Sequence, residues 1–474
     1  MAAIEEKEKL ETFVDAGHLD SEVVRRELDS SSVPSFINID ESALVRKIDF
    51  RLIPILFLIY ITAFLDRVNI SNALTMGLQK DLRLTKNQPN IALTMFFIPY
   101  VLFEVPSNIL LKRLTPHVWL SVCTVVFGIA MLAQGFVKNF GGILATRFIL
   151  GLAEAGIFPG SFYLISFWYK QDESQKRFTV FWCSVLVAGA FGGLLASAIA
   201  TMDGFNGLKN WRWIFILEGL GTIIVGMVSY FLITDFPEQA KWLSEEEREF
   251  VVHRNGHNKT PHRPIDLKDI GWFFTDPKRI LGAFMYWGLV VPVYAYAYFA
   301  PTIIKTLGYS VIQTQLRSVI PFAAALVLCL VVAFISDCIQ IRIPFALFGY
   351  GLAIVGLAIL MTVQHDFPVQ FGALCLVTMG CFSAGIVIVC WYVMNLHGHF
   401  ERSIGTAWMI SFGNTGGILA TFTFLASDAP HYKKGYSICM GGVCLSTLAT
   451  VAYAGLVVKA RRARSIGTEI TYSL

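Results

Sequence analysis

The sequence predicts an all-α integral membrane protein, with twelve transmembrane helices in two six-helix bundles. Three observations lead there. Of the 474 residues, 55% are hydrophobic and 15% charged, with a mean hydropathy of +0.59, unlike a soluble domain of this size. Apolar runs long enough to cross about 30 Å of hydrocarbon recur from Leu52 onward, separated by short joints of Pro, Gly, Lys or Arg. The two halves also echo each other. Lys176 to Ser197 and Glu401 to Thr421 each carry a basic residue followed some fifteen positions later by a Gly-Gly pair, and AEAGI at Ala153 is matched by SAGIV at Ser383.

Taken in order, residues 1–45 form an acidic, polar tail with no apolar signal segment, so the first span is retained. The first bundle, 46–233, holds apolar runs at 52–74, 91–111, 119–137, 143–163, 180–200 and 213–233. A connector, 234–279, contains SEEEREFVVHRNGHNK, which reads as a surface helix and linker. The second bundle, 280–458, holds runs at 281–304, 319–335, 345–363, 371–395, 406–426 and 438–458, and 459–474 is a second tail. Arg46, Lys47, Arg51, Arg113, Lys170, Lys176, Arg177, Lys459 and Arg461 all flank span ends on one side, which is expected to be cytosolic. Lys80, Arg83 and Lys86 oppose that trend. The Asn258-Lys259-Thr260 acceptor triplet would then face the cytosol, unused.

Several classes are excluded. With 38 basic and 34 acidic residues the net charge is +4, too small to suggest a nucleic-acid partner. The nine cysteines lie mostly within apolar runs without CxxC spacing, so no disulfide framework is expected. No Walker loop, HExxH or nucleophile elbow occurs, so an ATP-driven pump, an enzyme and a bound cofactor are all unmotivated. An ion gradient is the economical source of work.

Charges inside the apolar runs are the sharpest signal. Asp66 and Arg67 in span one, Glu104 in span two, Arg147 and Glu154 in span four and Glu218 in span six must face a cavity or one another. Arg147 and Glu154 are two turns apart, roughly 10.5 Å, too far for a direct pair. Each is expected to meet a different partner, or a solute lies between their levels. Asp66 and Arg67 are about 100° apart around their helix, so one can face a pore while the other braces a neighbour. Either charge can simply bolt helices together. For Arg67 the clamp is preferred, since its planar fork suits a carboxylate. Glu154 is the candidate for a coupling proton, because a carboxylic acid withdrawn from water holds its proton more readily and an approaching anion reinforces this. The opposing view makes it an ionised strut against an arginine such as Arg147. Glu104, ahead of Pro106, and Glu218 are expected to be structural.

Aromatic and amide groups can complete a pocket. Tyr294, Tyr296 and Tyr298 alternate in span seven, so only some can face inward unless Pro292 or Pro301 breaks the helix. Tyr294, Tyr298, Trp391, Tyr392, Asn395 and Asn414 are the candidate substrate contacts, suited to stacking and hydrogen bonding with a ring-bearing solute. His397 and His399 read as interfacial. Gly192, Gly193, Gly416 and Gly417 allow close helix approach, with a gating role compatible with that packing.

With Asp66-Arg67-Val68-Asn69, PSNILLKRLTP and RFILGLAEAGIFPG on the page, the chain resembles a major facilitator superfamily protein. RKIDFRLIPILFLIYITAFLDRVNISNA, LITDFPEQAKWLSEEE and FGNTGG extend the likeness to the anion:cation symporter family and its fungal allantoate permease group, from Arg46 to about Val458. The resemblance implies import of a small organic anion such as nicotinate, pantothenate, biotin or allantoate, by proton symport across a plasma membrane. It also implies anion binding by Arg67 and proton coupling through Arg147, Glu154 and Asp66. The superfamily's loop motif after span two lacks its acid in PSNILLKRLTP, whereas the second half keeps Asp337 with Arg342, expected to be a structural gate latch. The alternatives are a facilitator or antiporter of neutral or cationic solutes and, in another class, a nutrient sensor that does not transport. A site between halves permits a working monomer in the bilayer.

Overall fold

Asp40 starts the first membrane helix: its carboxylate accepts the backbone N–H groups of Ser42 at 2.9 Å and Ala43 at 3.2 Å, satisfying donors that a helix start leaves unpaired. Helix α1 then runs from Glu41 to Thr75. The computed structural model describes residues 39–254, 271, 273–306, 309–339, 341–363, 366–396, 398–425, 428 and 431–464. Most of the N-terminal tail, the Asn258 triplet, His397 and the end of the C-terminal tail lie outside the described residues.

The following helices are α2 (Gln88–Arg113), α3 (Pro116–Gln134), α4 (Phe140–Trp168), α5 (Gln171–Ile199) and α6 (Asn210–Leu232). After the connector helix Glu245–Arg254 come α7 (Pro277–Thr306), α8 (Val311–Ile339), α9 (Ile343–Thr362), α10 (Phe367–Met394), α11 (Gly398–Thr421) and α12 (Lys433–Arg464). Eleven are long and apolar enough to cross a membrane among the described residues. The twelfth, α11, is diluted by its Gly, Ser, Thr and Asn414. Prolines start α3 and α9 at positions where a missing N–H costs nothing.

Span four departs from the unbroken helix expected. It is helical over Phe140–Glu154 and again over Ile157–Trp168, with a turn at Ala155 and Gly156. Pro159 has no N–H for the Ala155 carbonyl, and its ring disfavours a regular turn there. A side chain at Gly156 would overlap the Ser107 hydroxyl, so glycine lets the turn sit against α2. The break falls immediately after Glu154.

Helices α1, α2 and α5 of the first half meet α7, α11 and α8 of the second along three seams. The paired glycines explain two of them. A Cβ on Gly193 would lie 2.8 Å from the Gln315 carbonyl of α8, whereas one on neighbouring Gly192 points at Leu65 of its own half. Gly417 likewise abuts the Phe97 ring of α2 across the seam, while Gly416 packs on the Trp287 carbonyl within its own half. In each pair one glycine tightens its bundle and the next lets the bundles touch.

The seams are hydrogen-bonded at the helix ends remote from the chain termini. Asn90 Nδ2 donates to the Thr421 carbonyl at 2.5 Å, the Thr94 and Thr421 hydroxyls lie 2.6 Å apart, and Lys305 Nζ donates to the Thr75 carbonyl at 2.7 Å. At the terminal side, the ion pairs Arg177–Asp49 (2.6 Å), Arg279–Glu401 (2.5 Å) and Arg342–Asp337 (2.8 Å) each stay within one half. The connector helix docks on the first half through Lys47–Glu247 (2.8 Å) and Arg254–Glu173 (3.0 Å). Burial opposes the charge on Glu247, but Lys47 and Ser244 outweigh it and hold the carboxyl below its ordinary range.

Candidate functional site

The middle of the molecule is built around Arg67. Its guanidinium donates through Nη2 to Glu154 Oε1 of α4 and through Nη1 to the Tyr294 hydroxyl of α7, so a single side chain links the two halves. Its Cζ stands 4.9 Å from the Phe96 ring centroid and 5.0 Å from that of Tyr100, both on α2, and 5.5 Å from that of Tyr294. Arg67 is 1% exposed and Glu154 fully buried. A cation so desolvated persists only with an anionic partner, and the flanking π faces add to its stabilisation.

Arg147 supports this group from behind: Nη1 donates to the Arg67 carbonyl at 3.0 Å. Arg147 and Glu154 therefore do meet different partners, both belonging to Arg67. Glu154 does stand against an arginine, and that arginine is Arg67 of α1 and not Arg147. Asp66 turns the other way. Neither of its oxygens has a hydrogen-bond partner, and Thr222 of α6 stands near but outside bonding geometry. One turn away, Asn69 Nδ2 donates to Glu218 Oε2, which ties α1 to α6.

The polar centre borders a small aromatic cavity lined by Tyr60, Phe64, Trp182, Tyr286, Tyr294 and Phe382 among others. Helices α1 and α5 supply one wall, α7 and α10 the other. Tyr294 and Tyr298 stack at 5.8 Å on one face of α7, and Tyr296 points away against Phe322. Neither Pro292 nor Pro301 breaks the helix. Gly385 leaves room for Trp182, whose ring would lie 3.0 Å from a Cβ there.

The remaining expected contacts separate. Trp391 packs edge-on to Tyr453 of α12 at 4.7 Å, and the Tyr392 hydroxyl donates to the Arg279 carbonyl at 2.8 Å. Asn395 closes α10, its side chain donating to the Trp391 carbonyl at 3.1 Å. None of the three lines the cavity in this structure; they pack and hydrogen-bond at the terminal end of the second half. Asn414 lies on the α2–α11 seam facing Glu104, both of whose oxygens are buried without a partner. Arg342 joins Asp337 at 2.8 Å and the Ser336 hydroxyl at 3.1 Å, fastening α8 to α9. Tyr60, Trp182 and Tyr286 were missed as cavity residues. Tyr286 was visible as the start of a four-residue stripe through Val290, Tyr294 and Tyr298.

Twelve helices enclosing a charged, aromatic centre shared by two halves define a multi-pass membrane transporter. The chain belongs to the Major Facilitator Superfamily, whose family pattern it matches over residues 56–421. It is similar to the Major facilitator-type transporter hxnP of Emericella nidulans, 33% identical over 420 residues that cover 85% of this chain and 84% of that one. Likewise, the High-affinity nicotinic acid transporter of Saccharomyces cerevisiae is 29% identical over 434 residues, 91% of this chain and 80% of the other. The fold of this chain resembles that of the proton:xylose symporter XylE bound to 6-bromo-6-deoxy-D-glucose, with a TM-score of 0.68 and 14% identity, over 85% of this chain and 95% of that one. Fold and relatives are those of transporters and not of enzymes.

Proposed function

We propose that the protein is a proton-coupled symporter importing a small organic carboxylate, of the vitamin or nitrogen-source kind, across a fungal plasma membrane. In this reading both termini are cytosolic, and 46–233 and 280–458 are the moving bundles joined by 234–279. The observation that carries it is the guanidinium of Arg67, held by a carboxylate of its own half and a tyrosine of the other. Glu154 occupies the place a substrate carboxylate would take. While ionised it holds Arg67; a proton on Glu154 releases the fork to the incoming anion. Proton and anion then promote each other's binding, as reciprocal linkage requires.

The surrounding charges support this. Four buried carboxyls, Asp66, Glu104, Glu154 and Glu218, face two buried guanidiniums, Arg67 and Arg147. So dry an interior approaches neutrality only with two protons on those carboxyls. Nicotinic acid, named for the yeast relative, is a ring-bearing monocarboxylate of the kind the aromatic cavity would stack. The hydrogen-bonded seam remote from the termini corresponds to a protein closed toward the outside. Since the whole site lies within one chain, a monomer suffices.

The test is uptake of labelled nicotinate, pantothenate, biotin and allantoate into proteoliposomes, with and without an inward proton gradient. Gradient-driven accumulation of one of them that disappears in membrane-inserted Arg67→Ala supports the reading. Undiminished affinity in that variant would remove the clamp. One observation favours a second reading, a facilitator or antiporter of neutral or cationic solutes: Arg67 is already neutralised internally and the cavity lining is largely apolar. Movement of such solutes, with none of the four acids transported, would select it.

A further inference from the structure

The seam between α5 and α8 brings together two free thiols, Cys183 of the first half and Cys329 of the second. The glycines of α5 fix its register. A Cβ on Gly193 would lie 3.1 Å from the Val319 side chain, and one on Gly189 would lie 2.6 Å from the Phe322 ring. Moving back along α5 thus moves forward along α8, so the two helices run antiparallel. Cys183 stands six residues before Gly189 and Cys329 seven after Phe322. Those steps carry the chain about 9 Å along α5 and about 10.5 Å along α8, which leaves both cysteines at one level. There the two thiols are hydrogen-bond partners across the seam. Both are buried, at 5% and 0% exposure, and Cys329 Sγ lies 4.0 Å from the Phe382 carbonyl of α10. Trp182, the neighbour of Cys183, and Phe382 both line the central cavity, so the thiols sit directly behind its wall.

A single buried cysteine acts as a small apolar residue. This pair differs because its members belong to bundles that move against each other in transport. A disulfide holds its two Cα atoms about 4.4–6.8 Å apart, and the glycine contacts show how closely these helices already approach. We propose that Cys183 and Cys329 are an oxidative modification site, at which hydrogen peroxide forms a reversible disulfide that ties α5 to α8 and arrests the movement of the halves. The Cys183 sulfur attacks one peroxide oxygen, the O–O bond breaks, and the thiol proton leaves with the other oxygen as water. The Cys329 sulfur then attacks the sulfenic sulfur, and its proton leaves with the hydroxyl group as a second water. Two electrons pass from the sulfurs to the peroxide, one S–S bond is made, and a thiol reductant restores the pair by exchange. The inference needs only that the halves move, and is independent of the carboxylate reading of Arg67.

The experiment treats purified full-length protein in nanodiscs with hydrogen peroxide and maps disulfide-linked peptides by mass spectrometry. Arrest is read without any solute, as amide hydrogen exchange at the seam remote from the termini, residues 88–94 and 415–421, where Asn90 and Thr94 meet Thr421. The wild type should yield a peptide joining Cys183 to Cys329, and exchange at that seam should slow by about fivefold or more because the openings that expose it are suppressed. Dithiothreitol should reverse both changes. Cys183→Ala and Cys329→Ala should each lose the link and the slowing, and either serves if the other folds poorly. Cys390→Ala should retain both; that thiol meets the Thr179 hydroxyl, one turn before Cys183. Absence of the link in wild type, in a sample whose exposed Cys338 has been oxidised, overturns the proposal. So does a link from Cys329 to Cys390, which lies within one half, or a Cys183–Cys329 link that leaves exchange unchanged.

Discussion

The two halves share one helical plan but divide the chemistry unequally. Within the membrane, the first half buries Asp66, Arg67, Glu104, Arg147, Glu154 and Glu218. The second half, among its described residues, keeps its buried charges at the terminal ends, where Arg279 meets Glu401 and Arg342 meets Asp337, and gives the centre tyrosines, a phenylalanine and small residues. One half thus handles charge and the other shape, and the Arg67–Tyr294 hydrogen bond joins the two at the centre. An ion held by a rigid network in one bundle can stay in place while the other bundle moves past it. The same division explains why an internal repeat need not repeat its site.

That comparison can be broken at several points. The largest effect should come from Arg67→Lys, which keeps the charge but cannot reach Glu154 and Tyr294 together; stranding a buried carboxylate should cut uptake on the order of 100-fold or more. Near-normal uptake in this variant would show that the fork is dispensable. Tyr294→Phe removes only the contribution of the second half, one hydrogen bond to a cation, and should weaken substrate affinity about tenfold in a binding titration. A smaller effect separates the adjacent glycines. Gly193→Ala meets the Gln315 carbonyl at 2.8 Å and should slow turnover several-fold, with overpacking of roughly 1–3 kcal/mol visible in thermal unfolding. Gly192→Ala meets the mobile end of Leu65 and should be tolerated, so equal effects would deny the seam its special role. Smallest of all, Tyr392→Phe should lower stability by about 1 kcal/mol through loss of its bond to the Arg279 carbonyl and leave affinity unchanged within about twofold.

The sequence was most readable where the bilayer imposes a rule. Twelve apolar runs and the isolation of Arg67, Arg147 and Glu154 among them followed from the expense of polar groups in hydrocarbon. Rotation about each helix axis was harder to read. In water a polar face marks the outside of a helix, but here lipid and core are both apolar, so Trp391 and Tyr392 looked as suitable for a cavity as Tyr286 and Trp182. The partner of Glu154 was equally hidden, because choosing between Arg147 and Arg67 requires knowing that α1 lies against α4. The break in α4 had its markers in Gly156 and Pro159, three residues apart, although their consequence depended on the approach of Ser107 from α2.

The central claim is that Glu154 and a substrate carboxylate compete for Arg67 and that a proton decides between them. Accumulation of a transported carboxylate in proteoliposomes, wild type beside Glu154→Gln, with and without an inward proton gradient, tests it most directly. The wild type should concentrate the acid only with the gradient. The variant, its glutamine unable to take up or release a proton, should bind and equilibrate the acid yet never concentrate it. Gradient-driven accumulation by Glu154→Gln at the wild-type level would contradict the account and move the coupling proton to another of the buried carboxyls.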